Sequence, residues 1–190
     1  TELPLAVMRH ATSKLSTAQD LFNISTLGFR GEALASIGSV ARLTLISHVK
    51  NAEQAAMLSV EGGKAAPLQP YPYSQGTLVR VEDLFFNVPA RRKFLKKEGT
   101  EKRAIEFVCS QYALAFPNVR FRLQQDRNLS FQTSGQGNLL ETLALLYGSD
   151  TARQLLEVEF EEEELFIRGY ISPFHVTRSH RNDILFLKWN

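Results

Sequence analysis

Gly28-Phe29-Arg30-Gly31-Glu32-Ala33-Leu34 sets two glycines three residues apart at the opening of a helical stretch, 32–37, that is rich in small residues. Glycines at such a point let the backbone approach a partner closely. The free N–H groups of the first helical turn, at the positive end of the dipole, suit an anion. The spacing matches neither the P-loop, since no Gly-Lys-Ser/Thr follows, nor the dinucleotide fingerprint. On spacing alone a plain glycine turn before a packed helix is the better account, with anion binding as the alternative.

Upstream lies Arg9-His10-Ala11-Thr12-Ser13-Lys14. The hydroxyls of Thr12 and Ser13 could bond phosphate oxygens, and Lys14 could add a point charge. The same residues also fit a helix end followed by a capped turn, with His10 as an ordinary helix-end residue. The surroundings are those of a globular protein: 190 residues, 44% hydrophobic and 22% charged, which excludes wholesale disorder. No apolar run approaches the roughly 18–20 residues of a membrane helix, and residues 1–10 lack a basic region followed by an apolar one. The single cysteine, Cys109, sits in an apolar stretch, reads as a buried, inert thiol and fits a reducing compartment.

The net charge of +2 is unevenly spread. Residues 91–103 carry seven basic side chains (Arg91, Arg92, Lys93, Lys96, Lys97, Lys102, Arg103) against Glu98 and Glu101, while 157–164 carry six glutamates and no base. Polarised surfaces follow, although a charge run is most often a solvated face.

Hydrophobic periodicity and turn residues predict helices over 2–10, 17–22, 32–37, 89–97, 101–116, 139–146 and 151–155. Strands are expected over 42–49, 56–60, 77–84, 119–125, 129–133, 157–161, 165–172 and 184–190. Asn87 is a candidate N-cap and Pro89 suits a first helical turn. In the helix expected over 89–97, Arg92 and Lys96 share a face, as do Lys93 and Lys97, and Phe94 and Leu95 should point to the core. Residues 62–63 and 71–76 read as turns, and 134–138 as a linker. The first residues read as a helix already under way and the last as an unpaired strand, so the chain reads as part of something longer.

Taken together, Arg9-His10-Ala11-Thr12-Ser13-Lys14 and Leu27-Gly28-Phe29-Arg30-Gly31-Glu32-Ala33-Leu34-Ala35-Ser36-Ile37 resemble the ATP lid of MutL-family DNA mismatch-repair proteins. That family belongs to the ATPase superfamily of gyrase, the ninety-kilodalton chaperones and histidine kinases. A third match runs from Gly76-Thr77 through Val81 and then along Asp83-Leu84-Phe85-Phe86-Asn87-Val88-Pro89-Ala90-Arg91-Arg92-Lys93-Phe94-Leu95. Its Pro-Ala-Arg-Arg-Lys-Phe-Leu portion separates MutL from its superfamily relatives.

The resemblance implies an α/β fold. Residues 1–134 would be the C-terminal two-thirds of a two-layer α/β sandwich ATPase domain, and 135–190 the opening of a second, ribosomal-protein-like α/β domain. It implies ATP, with magnesium, as cofactor. The lid backbone at Gly28, Phe29, Arg30, Gly31, Glu32, Ala33 and Leu34 would wrap the triphosphate, Ala11, Thr12, Ser13 and Lys14 would line the same pocket, and Thr77 would approach the adenine. The family's general-base Glu, its magnesium-binding Asn and its adenine-binding loop would precede Thr1, and the lysine that reaches the terminal phosphate would follow Asn190. No catalytic residue or metal ligand is therefore expected in this chain, and no ATP turnover by it alone, although the longer protein would be a weak ATPase.

The function implied is an ATP-gated switch in mismatch repair, coupling a MutS-type recognition protein to nicking and excision. Ordering of the lid would promote dimerisation, with a second copy or a paralogue. The setting would be the cytoplasm of a bacterium or the nucleus of a eukaryote. DNA is a further expected partner, through Arg91, Arg92, Lys93, Lys96 and Lys97. Two alternatives are the ATPase of a related topoisomerase or chaperone, which the Pro-Ala-Arg-Arg-Lys-Phe-Leu run opposes, and a plain DNA-binding module indifferent to ATP.

Overall fold

The computed structural model describes residues 2–15, 17, 19, 26–163, 165–176 and 184–187. They form two compact units, Thr1–Leu95 and Lys96–Lys188.

In the first unit, α1 (Leu3–Ala6) and α2 (Ala33–Val40) precede a sheet of β1 (Arg42–His48), β2 (Ala55–Glu61), β3 (Lys64–Ala65), β4 (Gln69–Tyr71) and β5 (Gly76–Glu82). The strand order is β3-β2-β1-β5, with β4 also paired to β2, and every pairing is antiparallel. Alternation along β1 sends Leu43 and Leu45 to one face, where the register sets Val60 and Leu58 beside them. These four are buried, and Leu3, Val7, Leu34 and Ile37 pack over them. Leu34 and Ile37 lie one turn apart on α2, which fixes the face the helix turns to the sheet. Gly38 makes the close approach possible: a Cβ there would meet Val60 Cγ1 at 3.0 Å. On β5 the same face carries Val79 and Val81, opposite Leu45 and Leu43, and both are exposed.

Several local expectations change. α1 spans one turn rather than 2–10. Of the stretches read as turns, 62–63 does form one, whereas of 71–76 Tyr71 ends the edge strand Gln69–Tyr71 that pairs with β2, where Pro70 needs no ladder donor, and Gly76 opens β5. The helix expected over 89–97 is only α3 (Pro89–Arg92). Continued, it would stack Arg92 over Lys96 and Lys93 over Lys97, like charges that oppose a helix. Phe94 and Leu95 find no core to enter and are 85% and 43% exposed. Asn87 is not the N-cap, a place taken by Val88; its side-chain amide instead donates to Ser39 O at 2.9 Å. The helix expected over 17–22 falls largely outside the described residues. So does the end of the strand expected at 184–190, and residues 184–187 carry no strand.

The second unit holds α4 (Glu98–Ala115), the hairpin β6 (Arg122–Gln125) and β7 (Asn128–Gln132), α5 (Leu139–Tyr147), α6 (Ser149–Gln154), and the hairpin β8 (Leu156–Glu162) and β9 (Leu165–Ile171). Lys102 on α4 bridges Glu98 and Asp126, tying the helix to the β6–β7 turn. The hydrogen bond that Lys102 donates to Asp126, followed by that to Glu98, raises the Lys102 pKa. Cys109 is half-buried on α4 rather than fully enclosed. The stretch 134–138 is bonded within this unit: Gly137 N donates to Pro117 O at 3.0 Å, and Asn138 Oδ1 caps α5 by accepting from Glu141 N at 3.0 Å. On β8–β9 the register gathers Leu156, Val158, Phe160, Ile167 and Ile171 on one face and Glu157, Glu159 and Glu161 on the other, so half of the glutamate run is one side of a hairpin. Among the described residues no helix is long and apolar enough to cross a membrane.

Candidate functional site

After α1 the chain turns at His10, which adopts φ +63, and Thr12 Oγ1 accepts a hydrogen bond from Lys14 N at 3.2 Å. The second segment begins at Thr26, whose hydroxyl donates to Gly28 O at 3.1 Å. Arg30 lies over the Phe29 ring, 5.5 Å from its centroid. Glu32 is the N-cap of α2, without a side-chain capping bond, and its carbonyl receives Ser36 N at 2.9 Å. The N–H groups of the first helical turn therefore have no partner within the helix.

The two segments meet at Gly31. Its φ is +63, and a Cβ there would overlap the Ala11 carbonyl oxygen and lie 2.6 Å from the carbonyl carbon. Beside this contact His10 Nδ1 stands 3.3 Å from Glu32 Oε1, an exposed pair of the kind that contributes at most about 1 kcal/mol. The Lys14 ammonium comes within 4.0 Å of where a Gly28 Cβ would stand. Between the segments opens a solvent-facing cavity of about 440 Å³ lined by His10, Thr12, Leu15, Phe29, Arg30 and Glu32.

Of the residues expected in a phosphate site, Thr12, Phe29, Arg30 and Glu32 line this cavity, while Ala11 and Gly31 form the contact behind it. Ser13 and Lys14 are exposed beside it, and Ala33 and Leu34 open α2, with Leu34 turned to the sheet core. Thr77 stands apart on β5, its hydroxyl 3.1 Å from Ser47 Oγ, and is not among the lining residues. His10 and Leu15 line the cavity unforeseen. The signal for His10 was its position two residues before Thr12, which a helical reading of 2–10 concealed.

Among the described residues no group of three His, Cys, Asp or Glu side chains could hold a metal ion. The described residues thus do not fit a magnesium site. Within the basic run Arg91, Arg92, Lys93, Lys96, Lys97 and Arg103 are exposed, whereas Lys102 is part-buried against Glu98 and Asp126; Arg91, Arg92 and Lys93 form no ion pair with any described residue.

No family model matches the chain. It is 48% identical over 183 residues to the DNA mismatch repair protein MutL of Chelativorans sp. (strain BNC1), a match covering 94% of this chain and 29% of that protein. MutL of Streptococcus equi subsp. equi is 39% identical over 186 residues, 98% of this chain and 28% of the relative. The chain thus spans less than a third of the length of the curated relatives it matches. Among solved structures, the MutL ATPase domain of Aquifex aeolicus complexed with ADP superposes with a TM-score of 0.63 at 30% identity, over 83% of this chain and 60% of that one. The N-terminal domain of a DNA repair protein superposes with a TM-score of 0.73 at 24% identity, over 95% and 57% of the two chains, a likeness of fold alone. The three motifs, the sheet with its two helices and these relatives agree: the chain belongs to the MutL family and has the α/β fold of its ATPase domain.

Proposed function

We propose that this chain is the nucleotide-gated portion of a MutL-type mismatch-repair protein. Ala11, Thr12, Ser13 and Lys14 face the lid backbone of Gly28 to Leu34, and together they enclose the phosphates of ATP. The observation that carries the reading is the cavity between the two segments, which Thr12, Arg30 and Glu32, the N-cap of α2, all line. Hydroxyls donate to phosphate oxygens, Arg30 and Lys14 offset their charge, and closure of the segment over them excludes water. The ADP held by the Aquifex relative supports the assignment. Thr77 enters on the motif resemblance alone. In the longer protein this site would act as a switch for dimerisation and for engagement of a MutS-type partner.

Titrating the chain with ADP by calorimetry tests the reading. Lys14→Ala should lose about 1.5–3 kcal/mol, the usual worth of a hydrogen bond to a charged group. A binding isotherm unchanged by the substitution would remove Lys14 and its segment from the site.

DNA contact through Arg91, Arg92, Lys93, Lys96 and Lys97 is a second part of the proposal, supported by the exposed cations of α3, which no described acidic side chain pairs. Phosphate contacts of this kind carry no sequence preference and weaken with salt. The double variant Arg91→Glu/Arg92→Glu should lower affinity for every duplex alike and flatten the salt dependence by about two phosphate equivalents. An unaltered slope would return these residues to an ordinary solvated surface.

The division at 134/135 into an ATPase domain and the start of a second domain is likewise proposed from the resemblance, against compact units that divide after Leu95. Limited proteolysis of the longer protein distinguishes the two, by cleavage near 135 or near 95.

A further inference from the structure

Three consecutive carbonyls at the C-terminal end of α2 accept hydrogen bonds from outside the helix. The Gly63 N–H donates to Gly38 O at 2.8 Å, the Asn87 side chain to Ser39 O at 2.9 Å, and the Phe85 N–H to Val40 O at 2.7 Å. A helix end ordinarily leaves such carbonyls to water or to a left-handed residue that closes the last turn. Here Ala41 is extended, at φ −144 and ψ 173, so no local cap forms and distant turns supply the donors.

The turn that supplies two of them has an uncommon backbone. Asp83 adopts φ +52 and Phe85 φ +63, conformations that non-glycine residues keep only where their surroundings over-determine them. Arg42 provides part of that constraint: its Nη1 lies 2.7 Å from Asp83 Oδ2, and its guanidinium sits 5.4 Å from the Phe86 ring centroid. Glu61, bonded to Arg42 Nε at 3.2 Å, keeps the guanidinium in place. Glu61 and then Asp83 raise the Arg42 pKa.

The opposite end of the same helix is the lid turn, with Glu32 as N-cap and Gly31 seated on Ala11. One short helix therefore has its far end held by the 83–88 turn and its near end in the candidate site. Immediately after Asn87 and Val88 the chain enters α3, which carries Arg91 and Arg92 in its last turn.

We propose that the 83–88 turn is a releasable clamp on α2 that couples the lid to the Arg91–Lys93 cations, with Asn87 as the positioning residue. A shift at Gly31 and Glu32 moves α2 against the clamp. The Asn87 and Phe85 bonds then break, and Asp83 and Phe85 leave the left-handed region, which re-aims the start of α3. The inference rests on reading 26–34 as a lid, yet the coupling itself needs no nucleotide and can be measured without one.

Amide hydrogen exchange on the 190-residue chain, followed over 29–34, 83–93 and the β1 core at 43–46, reads it directly. Gly31→Ala perturbs the lid, and exchange should quicken at least fivefold over 83–93 as well as over 29–34, with 43–46 unchanged. Asn87→Ala, and the equally shaped Asn87→Asp that lacks the donor, should quicken 29–34 by a similar factor. Combining Gly31→Ala with Asn87→Ala should add little over 83–93 beyond the second change alone. Three outcomes would overturn the coupling: Gly31→Ala confined to 29–34, either Asn87 variant leaving 29–34 as in the parent, or all three segments quickening in parallel, which is general loosening. Should Gly31→Ala fail to fold, the two Asn87 variants decide by the lid amides alone. Absent ADP binding with the exchange coupling intact would defeat the proposed function and leave the clamp standing.

Discussion

Gly31→Val should abolish measurable ADP binding, a loss of at least about a hundredfold, or roughly 2.7 kcal/mol, while the sheet stays folded. Two physical effects act together. Valine is β-branched and resists φ +63, and its Cβ would collide with backbone, the Ala11 carbonyl, rather than with a side chain that could swing away. The lid turn and the segment from Ala11 to Lys14 must then separate, and that removes the cavity between them. The buried cluster of Leu43, Leu45, Leu58 and Val60 does not include this contact, so the circular dichroism of the sheet should persist. Calorimetry alongside thermal unfolding separates the cases. Parental affinity would overturn the lid assignment, and collapse of the whole fold would make Gly31 a structural glycine alone.

Leu45→Ala should destabilise the first unit by about 2–5 kcal/mol, the range for a buried leucine whose cavity only partly relaxes. Leu45 is 2% exposed and stands opposite Leu58 on β2 and Val79 on β5. Leu58 shares the buried cluster over which α1 and α2 pack, whereas Val79 is 51% exposed. The same truncation at Val79 should therefore cost well under half as much, because its side chain has given up less contact with water. Urea unfolding of the two variants gives the comparison. Equal losses would mean that the sheet face over β5 is as well covered as that over β1.

Much of this protein was legible in its residues. The residue pattern over 42–49 and 77–84 marked two strands whose bounds the structure moves by no more than two residues, to Arg42–His48 and Gly76–Glu82. The small residues of 32–37 marked a helix, observed as α2 over Ala33–Val40, and the glycine-punctuated run from Gly28 carried the family resemblance that the relatives bear out. Such features are local or periodic: a strand's two faces and a helix's turns follow from the geometry of a few consecutive residues.

Tertiary structure decided what depends on partners distant in the chain. The run from Pro89 to Lys97 has helical spacing and a proline where a helix can begin, yet it forms one turn. Repulsion between like charges opposes its continuation, and among the described residues Phe94 stays exposed. Asn87 has the chemistry of an N-cap but spends its amide on Ser39, 48 residues away in sequence, because the end of α2 offers a carbonyl with no local cap. His10 lines the cavity only because Gly31 lets two segments close on each other. A residue's own propensity is a few tenths of a kcal/mol to about 1 kcal/mol, and one long-range hydrogen bond or close packing contact is as large, so such contacts decide the outcome where they exist.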